Sequence, residues 1–204
     1  FNIPHYIPYT MKTLYLIRHG HSLHNELFPK LGVQAFRIPE VRDSPLTEKG
    51  HAQSKKLGKT IGNKGIELVL VSPLMRTLET AHNIFKDENV PIRCIEGLRE
   101  HPLGLDTCNI RSDVSVLSEK FRDIDFSHLV SDTDIYWQKN GETLQELDER
   151  IEAFVEYVRG LPEKKIAVIS HNSWIGRLKD KHISQLENGE EELHHCYPYE
   201  YTLV

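Results

Sequence analysis

The chain contains several short apolar runs that end in a glycine, a proline or a polar residue. Apolar runs of this length that stop at turn-forming or polar residues are typical of buried strands. They predict strands at residues 12–17, 67–71, 90–95 and 165–170, and an edge strand at residues 199–204.

Longer segments between these strands carry residues at helical spacing. Ser72 is placed to cap a helix over residues 74–85, with Pro73 in its first turn. Further helices are predicted over residues 114–121, 144–159 and 174–183. Another helix is predicted by the spacing of Leu46, Gly50, Gln53, Leu57 and Ile61. It ends at a turn at residues 62–65.

Alternating strands and helices predict an α/β fold with a mainly parallel central sheet and helices on both of its faces. No repeat or linker divides the sequence, so we expect residues 1–204 to form a single domain. Residues 96–141 have no clear period and are interpreted as an insertion that caps the ligand pocket. Residues 1–11 are interpreted as a leader arm, with Met11 as an alternative start.

Composition narrows the classes of partner. A net charge of -5 and a pI of about 6.2 argue against a nucleic-acid-binding protein. The chain has no run of about 18 apolar residues, so no membrane span is expected. Three widely spaced cysteines favour a reducing, cytoplasmic environment over a disulfide scaffold. The sequence leaves open whether the protein forms a homodimer.

Basic side chains follow three of the predicted strands. Arg18 and His19 come after the first, Arg76 after the second and His171 after the fourth. Ligands of parallel sheets bind at the carboxyl ends of the strands, so these residues are expected to meet around one ligand. Arginine forks match phosphate oxygens. His19 is a nucleophile if a backbone carbonyl holds its other nitrogen as N–H. The pattern predicts phosphoryl transfer to His19.

A phosphoryl transfer also needs an acid that protonates the leaving oxygen. Glu100 is our preferred candidate, Asp106 is its main rival and His101 is the other. Ser22 and Asn25 supply neutral hydrogen-bond donors for the phosphate.

A second anionic group on the substrate would need further cations. The candidates, each of which is equally well explained as a surface charge, are Arg99, His101, Arg111 and Arg122.

Twelve histidines raise the alternative of a metal site. No H-x-x-x-H or H-E-x-x-H pattern occurs, and His194 and His195 form an adjacent pair in a predicted loop. We therefore expect neither a metal ion nor a cofactor.

Five blocks, in family order, resemble those of the histidine phosphatase superfamily, also called the phosphoglycerate mutase-like family. Residues 16–25 (LIRHGHSLHN) resemble its R-H-G-x-S-x-x-N signature, and residues 46–53 (LTEKGHAQ) its L-T-x-x-G-x-x-Q helix start. Residues 72–81 (SPLMRTLETA), 98–104 (LREHPLG) and 167–171 (AVISH) resemble the three later blocks. Residues 99–127 are similar to the phosphoglycerate mutase-like proteins of plants and fungi.

The resemblance implies a three-layer α/β/α sandwich and chemistry without a metal. It further implies that His19 is phosphorylated and that Glu100 is the proton donor. The remaining site residues that it implies are Arg18, Arg76 and His171 for the phosphate pocket and Ser22, Asn25 and Asn172 for substrate binding.

Departures from the family pattern favour a phosphatase over a mutase. His21 stands where mutases of the family carry an acidic residue, and the segment after Glu100 differs from the H-Y-G-x-L-x-G stretch of glycolytic mutases. Asn172 replaces a glycine that often follows the second histidine. We expect a phosphatase that acts on a small phosphorylated metabolite. The alternatives are a cofactor-dependent phosphoglycerate-type mutase and a non-catalytic module that binds phosphorylated ligands.

Overall fold

A six-stranded sheet forms the centre of the computed structural model, which describes residues 10–183 and 193–203. The strand order is β4-β3-β2-β5-β1-β6. Strand β6 is antiparallel to β1, and all other neighbouring strands are parallel. The strands are β1 (Lys12–Arg18), β2 (Leu68–Val71), β3 (Ile92–Cys94), β4 (Ile124–Asp125), β5 (Lys165–Ser170) and β6 (Tyr199–Leu203).

Helices cover both faces of this sheet. Tyr15 and Ile17 of β1 face one core, and Leu14 and Leu16 face the other, as the two-residue period of a strand requires. The first core includes side chains of α2 (Glu48–Gly58), α3 (Met75–Phe85) and α4 (Val114–Lys120), and the second includes those of α5 (Leu144–Arg159) and α6 (Asn172–His182). The predicted α/β/α sandwich is confirmed.

Two elements of the structure were not predicted. Helix α1 (Leu23–Leu31) contains Pro29, and His24 is its one buried residue, so it lacks an apolar stripe. Strand β4 has only two residues, too few for a recognisable period, and pairs with β3. Residues 96–141 therefore contribute α4 and an edge strand to the sandwich in addition to the pocket residues described below.

Helices α4 and α5 begin at the predicted residues, whereas α2 and α6 begin about two residues away from theirs. Helix α2 begins at Glu48, and Leu46 lies before it in a β-bridge with Ser22. Ile61 lies in a separate 3-10 turn that ends at Gly65, where φ is 65°. Helix α6 begins at Asn172 instead of residue 174.

The prediction that Ser72 caps α3 is wrong. The N-cap residue is Leu74, and the Met75 amide donates to Oδ1 of Asp43 at 2.7 Å. A distant carboxylate thus satisfies the helix terminus, and the Ser72 hydroxyl turns towards the carboxyl edge of the sheet.

Residues 1–9 of the expected leader arm and residue 204 of the expected edge strand lie outside the described residues. Across residues 10–183 and 193–203, no helix is long and apolar enough to cross a membrane.

Candidate active site

His19 lies in the turn after β1, at the carboxyl edge of the sheet, and only 2% of it is exposed. Its Nδ1 lies 2.7 Å from the Gly20 carbonyl oxygen. A carbonyl only accepts, so Nδ1 carries the proton and Nε2 of the neutral ring keeps its lone pair. Burial, followed by the positive charges of Arg76 and Arg18, lowers the pKa of His19 well below its usual value. The structure therefore provides a neutral imidazole with an unprotonated Nε2.

The first turn of α2 fixes the loop that carries His19. Thr47 donates its amide to the His21 carbonyl oxygen at 3.0 Å, and Gln53 Oε1 accepts from the His21 amide at 2.8 Å. A Cβ on Gly50 would lie 2.1 Å from the same carbonyl oxygen, so only glycine permits this approach. The spacing in the LTEKGHAQ block therefore reflects three contacts with one residue of the loop.

Arg76 reaches the site from α3 and is buried. Its Nη1 donates to the Cys108 carbonyl oxygen at 2.9 Å and its Nη2 to Oδ1 of Asn109 at 2.8 Å. One turn further along α3, Thr80 Oγ1 accepts from the Gly20 amide at 3.0 Å. Helix α3 thus supplies a cation to the pocket and also supports the loop that bears the histidine.

Arg18, the last residue of β1, is buried directly before His19. Its Nη1 donates to the Leu193 carbonyl oxygen at 2.8 Å. The cavity described below is lined by Arg18 and Arg76, so two guanidinium groups face the same space. This is the pair of forked donors that the sequence predicts for a phosphate group.

His171 follows β5 and is fully buried. Its ring centroid is 5.3 Å from that of His19, and its Nε2 lies 2.8 Å from Ser72 Oγ. Burial, followed by the positive charge of Arg76, lowers its pKa well below the usual value. His171 is therefore neutral, and its imidazole carries one N–H instead of the two of a protonated ring.

Glu100 and Asp106 both line the cavity but have different partners. The Glu100 carboxylate accepts from the Trp174 amide at 3.2 Å and the Ser173 amide at 3.4 Å, in the first turn of α6. Asp106 forms an ion pair with Arg37, with 3.2 Å between Oδ1 and Nε. Within residues 10–183 and 193–203, Glu100 forms no ion pair of this kind.

The three residues expected to bind substrate occupy different positions. Asn25 and Asn172 line the cavity, and Asn172 Oδ1 accepts from the Leu193 amide at 3.0 Å. Ser22 is fully buried, is not part of the cavity wall, and donates to Asn25 Oδ1 at 2.6 Å. Ser22 thus orients Asn25 from behind, instead of facing the ligand.

Three further histidines that line the cavity, His21, His24 and His195, were not site candidates in the sequence. His24 is buried in α1 with its ring centroid 6.1 Å from that of His19. The ring centroid of His195 is 5.6 Å from that of His19, and its Nδ1 donates to the His19 carbonyl oxygen at 2.6 Å. His24 lies within the LIRHGHSLHN block, which was a usable signal. His195 is joined to Arg18 by a long-range β-bridge that nothing near it in sequence indicates.

Most of these side chains line one cavity of about 530 Å³, whereas His171, like Ser22, is not part of its wall. That volume lies within the range of small-ligand pockets and exceeds the space that a phosphate group alone needs. Within the described residues, no three His, Cys, Asp or Glu side chains are arranged to hold a metal ion. The cavity is lined by Arg18, His19, His21, His24, Asn25, Phe28, Phe36, Arg76, Glu100, His101, Asp106, Cys108, Asn109, Asn172, Ser173 and His195.

Comparison with solved structures bears on the fold. The chain superimposes on the α-ribazole phosphatase of Shigella flexneri with a TM-score of 0.53 and 26% identity, covering 80% of this chain and 75% of that one. The ecdysone phosphate phosphatase of Bombyx mori, solved in complex with tungstate, gives a TM-score of 0.63 at 16% identity, covering 94% and 88% of the two chains.

Comparison with sequences bears on the family. Phosphoglycerate mutase-like protein 1 of Arabidopsis thaliana is 31% identical in an alignment 197 positions long. The alignment covers 80% of this chain and 69% of the plant protein. The family model of the histidine phosphatase superfamily (branch 1) matches residues 14–197, nearly the whole chain. The protein is therefore a member of the histidine phosphatase superfamily.

Proposed function

We propose that the protein hydrolyses phosphate monoesters through a phosphohistidine formed on Nε2 of His19. The observation that carries the proposal is the 2.7 Å contact between His19 Nδ1 and the Gly20 carbonyl oxygen. It leaves Nε2 unprotonated in a ring that has Arg18, Arg76 and His171 as charged or polar neighbours. A phosphoryl group held between these donors would face the lone pair of the nucleophile.

In the first step, Nε2 of His19 attacks the phosphorus atom in line with the ester oxygen. The new N–P bond forms as the P–O bond to the organic group breaks, and Glu100 gives its proton to the departing oxygen. Arg18 and Arg76 stabilise the charge on the equatorial oxygens. The products of this step are an alcohol and a phosphorylated His19.

In the second step, a water molecule attacks the phosphohistidine. Glu100, now ionised, takes a proton from the water as the new O–P bond forms and the N–P bond breaks. Inorganic phosphate leaves, and His19 and Glu100 return to their starting protonation states. The substrate we propose is a small phosphorylated metabolite, in keeping with the cavity of about 530 Å³.

Two relatives support hydrolysis. The Shigella flexneri protein is described as a phosphatase, and the Bombyx mori phosphatase was crystallised with tungstate, a tetrahedral oxyanion like phosphate. The name of the plant relative favours a second candidate, a phosphoglycerate-type mutase. A mutase shares the first step and then transfers the phosphoryl group back to a sugar acid in place of water.

The test is to incubate the protein with p-nitrophenyl phosphate in the presence of a chelator and to quench it within a single turnover. We expect release of nitrophenol and an acid-labile, base-stable phosphoenzyme, both of which are lost in His19→Ala. Near-normal turnover by His19→Ala, or activity that disappears with the chelator, would refute the proposal. With 3-phosphoglycerate, release of inorganic phosphate identifies a phosphatase, and formation of 2-phosphoglycerate identifies a mutase.

A further inference from the structure

A row of four aromatic rings leads from the nucleophile to the mouth of the cavity. The centroid of His24 is 6.1 Å from that of His19, Phe36 is 5.6 Å from His24, and Phe28 is stacked 5.3 Å from Phe36 at an interplanar angle of 19°. All four rings line the cavity. The exposed fraction rises from 2% for His19 and 6% for His24 to 46% for Phe28. The organic part of an ester bound at His19 therefore has an aromatic wall beside it.

The positive charge of the cavity is confined to its phosphate end. The wall contains two lysine or arginine residues, Arg18 and Arg76. No lysine or arginine of the chain is left out of this comparison, because all 25 lie within residues 10–183 and 193–203. No residue of the cavity wall thus remains to carry a permanent positive charge for a second anionic group.

The arginines that the sequence suggested for binding a second anionic group lie outside the cavity wall. Arg99 is fully buried and forms ion pairs with Glu96 and Asp134. Arg111 is also fully buried, and its guanidinium contacts Glu96 and four carbonyl groups. Arg122 is exposed and is not part of the cavity wall. Arg99, Arg111 and Arg122 are therefore not placed to bind a carboxylate of the substrate.

The ionisable groups near the aromatic row also disfavour an anion. Burial lowers the pKa of His24 well below its usual value, and burial and Lys49 lower that of His21, so both rings are neutral. His101 Nδ1 contacts Glu142, and the Asp106 carboxylate is paired with Arg37. The charge of the exposed Arg37 is thus already matched by a carboxylate of the cavity wall.

From this geometry we infer that the leaving group is an uncharged organic moiety with a flat apolar face, which packs on Phe36 and Phe28. The inference rests on the proposed function and defines its substrate class: phosphate esters of aryl-bearing or comparable apolar alcohols, in preference to phosphoglycerates. The phosphate binds at Arg18 and Arg76, and the aromatic row supplies dispersion and stacking with the rest of the ester. A carboxylate on the leaving group would lose its hydrating water beside the aromatic row and would find no cationic partner there.

The test compares three primary alkyl esters: 2-phenylethyl phosphate, glycerol 3-phosphate and 3-phosphoglycerate. Because all three leave as primary alkoxides, differences in kcat/KM report on recognition of the organic group. We expect kcat/KM for 2-phenylethyl phosphate to exceed that for 3-phosphoglycerate at least about tenfold. Phe28→Ser should reduce the ratio of kcat/KM for phenylethyl phosphate to that for glycerol 3-phosphate about tenfold.

Leu31→Ser is the matched control, because Leu31 lies one turn further along α1 and is 43% exposed but does not line the cavity. It should leave the ratio at the wild-type value. Equal or faster turnover of 3-phosphoglycerate, or an equal loss in Phe28→Ser and Leu31→Ser, would overturn the inference. Selective loss of 3-phosphoglycerate turnover in Arg37→Ala would do the same. In each of those cases the acid-labile phosphoenzyme would still form, whereas its absence would refute the proposed function and the inference together.

Discussion

The Ser72 hydroxyl lies 2.8 Å from Nε2 of His171 and joins the ends of two adjacent parallel strands, β2 and β5. The other ring nitrogen of His171, Nδ1, is buried and has no hydrogen-bond partner among the described residues. If the hydroxyl donates to Nε2, the proton of the neutral ring is on Nδ1. We expect Ser72 to select this tautomer, which leaves the buried Nδ1–H of His171 available to donate to a phosphate bound beside His19.

Ser72→Ala tests this role of the hydroxyl. We expect kcat/KM for nitrophenyl phosphate to fall about tenfold or more, since a buried hydrogen bond is worth roughly 1–3 kcal/mol when one partner is left unsatisfied. The control is Ser54→Ala, which removes a buried hydroxyl from α2 that bonds to Gly50 and His51. Equal activity in the two variants would contradict the assignment.

The close approach of Gly50 to the loop after β1 predicts a severe effect of one methyl group. In Gly50→Ala the new Cβ would lie 2.1 Å from the His21 carbonyl oxygen, so α2 or the loop has to move. We expect a loss of about 2–4 kcal/mol in the free energy of unfolding, measured in urea, together with loss of turnover. Gly176→Ala is the control, because a Cβ there meets nothing within 4 Å in α6. It should stabilise the protein by about 0.5–1 kcal/mol.

The layers of the fold and the residues at the sheet edge were predictable from the sequence for one reason. Buried strands and amphipathic helices carry a period, and a parallel sheet places the ends of β1, β2 and β5 side by side. Helix α1 and strand β4 escaped prediction because one lacks an apolar face and the other has only two residues.

The shape of the pocket could not be predicted, because it depends on contacts between residues far apart in the chain. His195 reaches His19 through a bridge to Arg18, and Asn109 reaches Arg76 through a side-chain hydrogen bond. Burial could not be predicted from the sequence either. It keeps His171 neutral, and it places Arg99 and Arg111 in the interior, away from the cavity. The family blocks indicated candidate residues for the proposed chemistry, but they gave no indication of the organic group of the substrate.

Glu142 fixes the segment on both sides of Glu100. Its carboxylate accepts from Nε of Arg150 at 2.6 Å, from Leu103 N at 3.2 Å and contacts Nδ1 of His101 at 3.0 Å. Arg150 in turn donates to the carbonyl oxygens of Gly97 and Arg99. The ion pair therefore holds the backbone before and after the proposed acid.

Glu142→Gln should misplace Glu100 and slow the hydrolysis of alkyl phosphates about tenfold, with a smaller effect on nitrophenyl phosphate, whose leaving group needs little protonation. The free energy of unfolding should fall by about 1–2 kcal/mol, because a half-buried charge pair loses one partner, a case between exposed and fully buried pairs. Asp148→Asn in α5 is the control, since it removes a surface pair with Arg177 and Lys181. That variant should keep nearly the wild-type stability and full activity, because exposed ion pairs contribute little. A Glu142→Gln enzyme that is slowed equally on both substrates would contradict a role through Glu100.

The three buried histidines of the site predict that acid destabilises the protein below about pH 6.5. Burial and neighbouring cations hold the pKa values of His19, His24 and His171 well below 6.5. An unfolded chain protonates its imidazoles near pH 6.5, so below that pH it binds protons that the folded chain does not, and the free energy of unfolding falls as the pH falls. Each histidine contributes up to about 1.4 kcal/mol per pH unit.

The variant His24→Gln tests this dependence by urea unfolding. The free energy of unfolding that it loses between pH 6.5 and 5.5 should be smaller by about 1 kcal/mol than the loss in the wild type. The exposed substitution His128→Gln should keep the wild-type loss, and an identical slope in all three proteins would show that His24 is protonated in the folded chain.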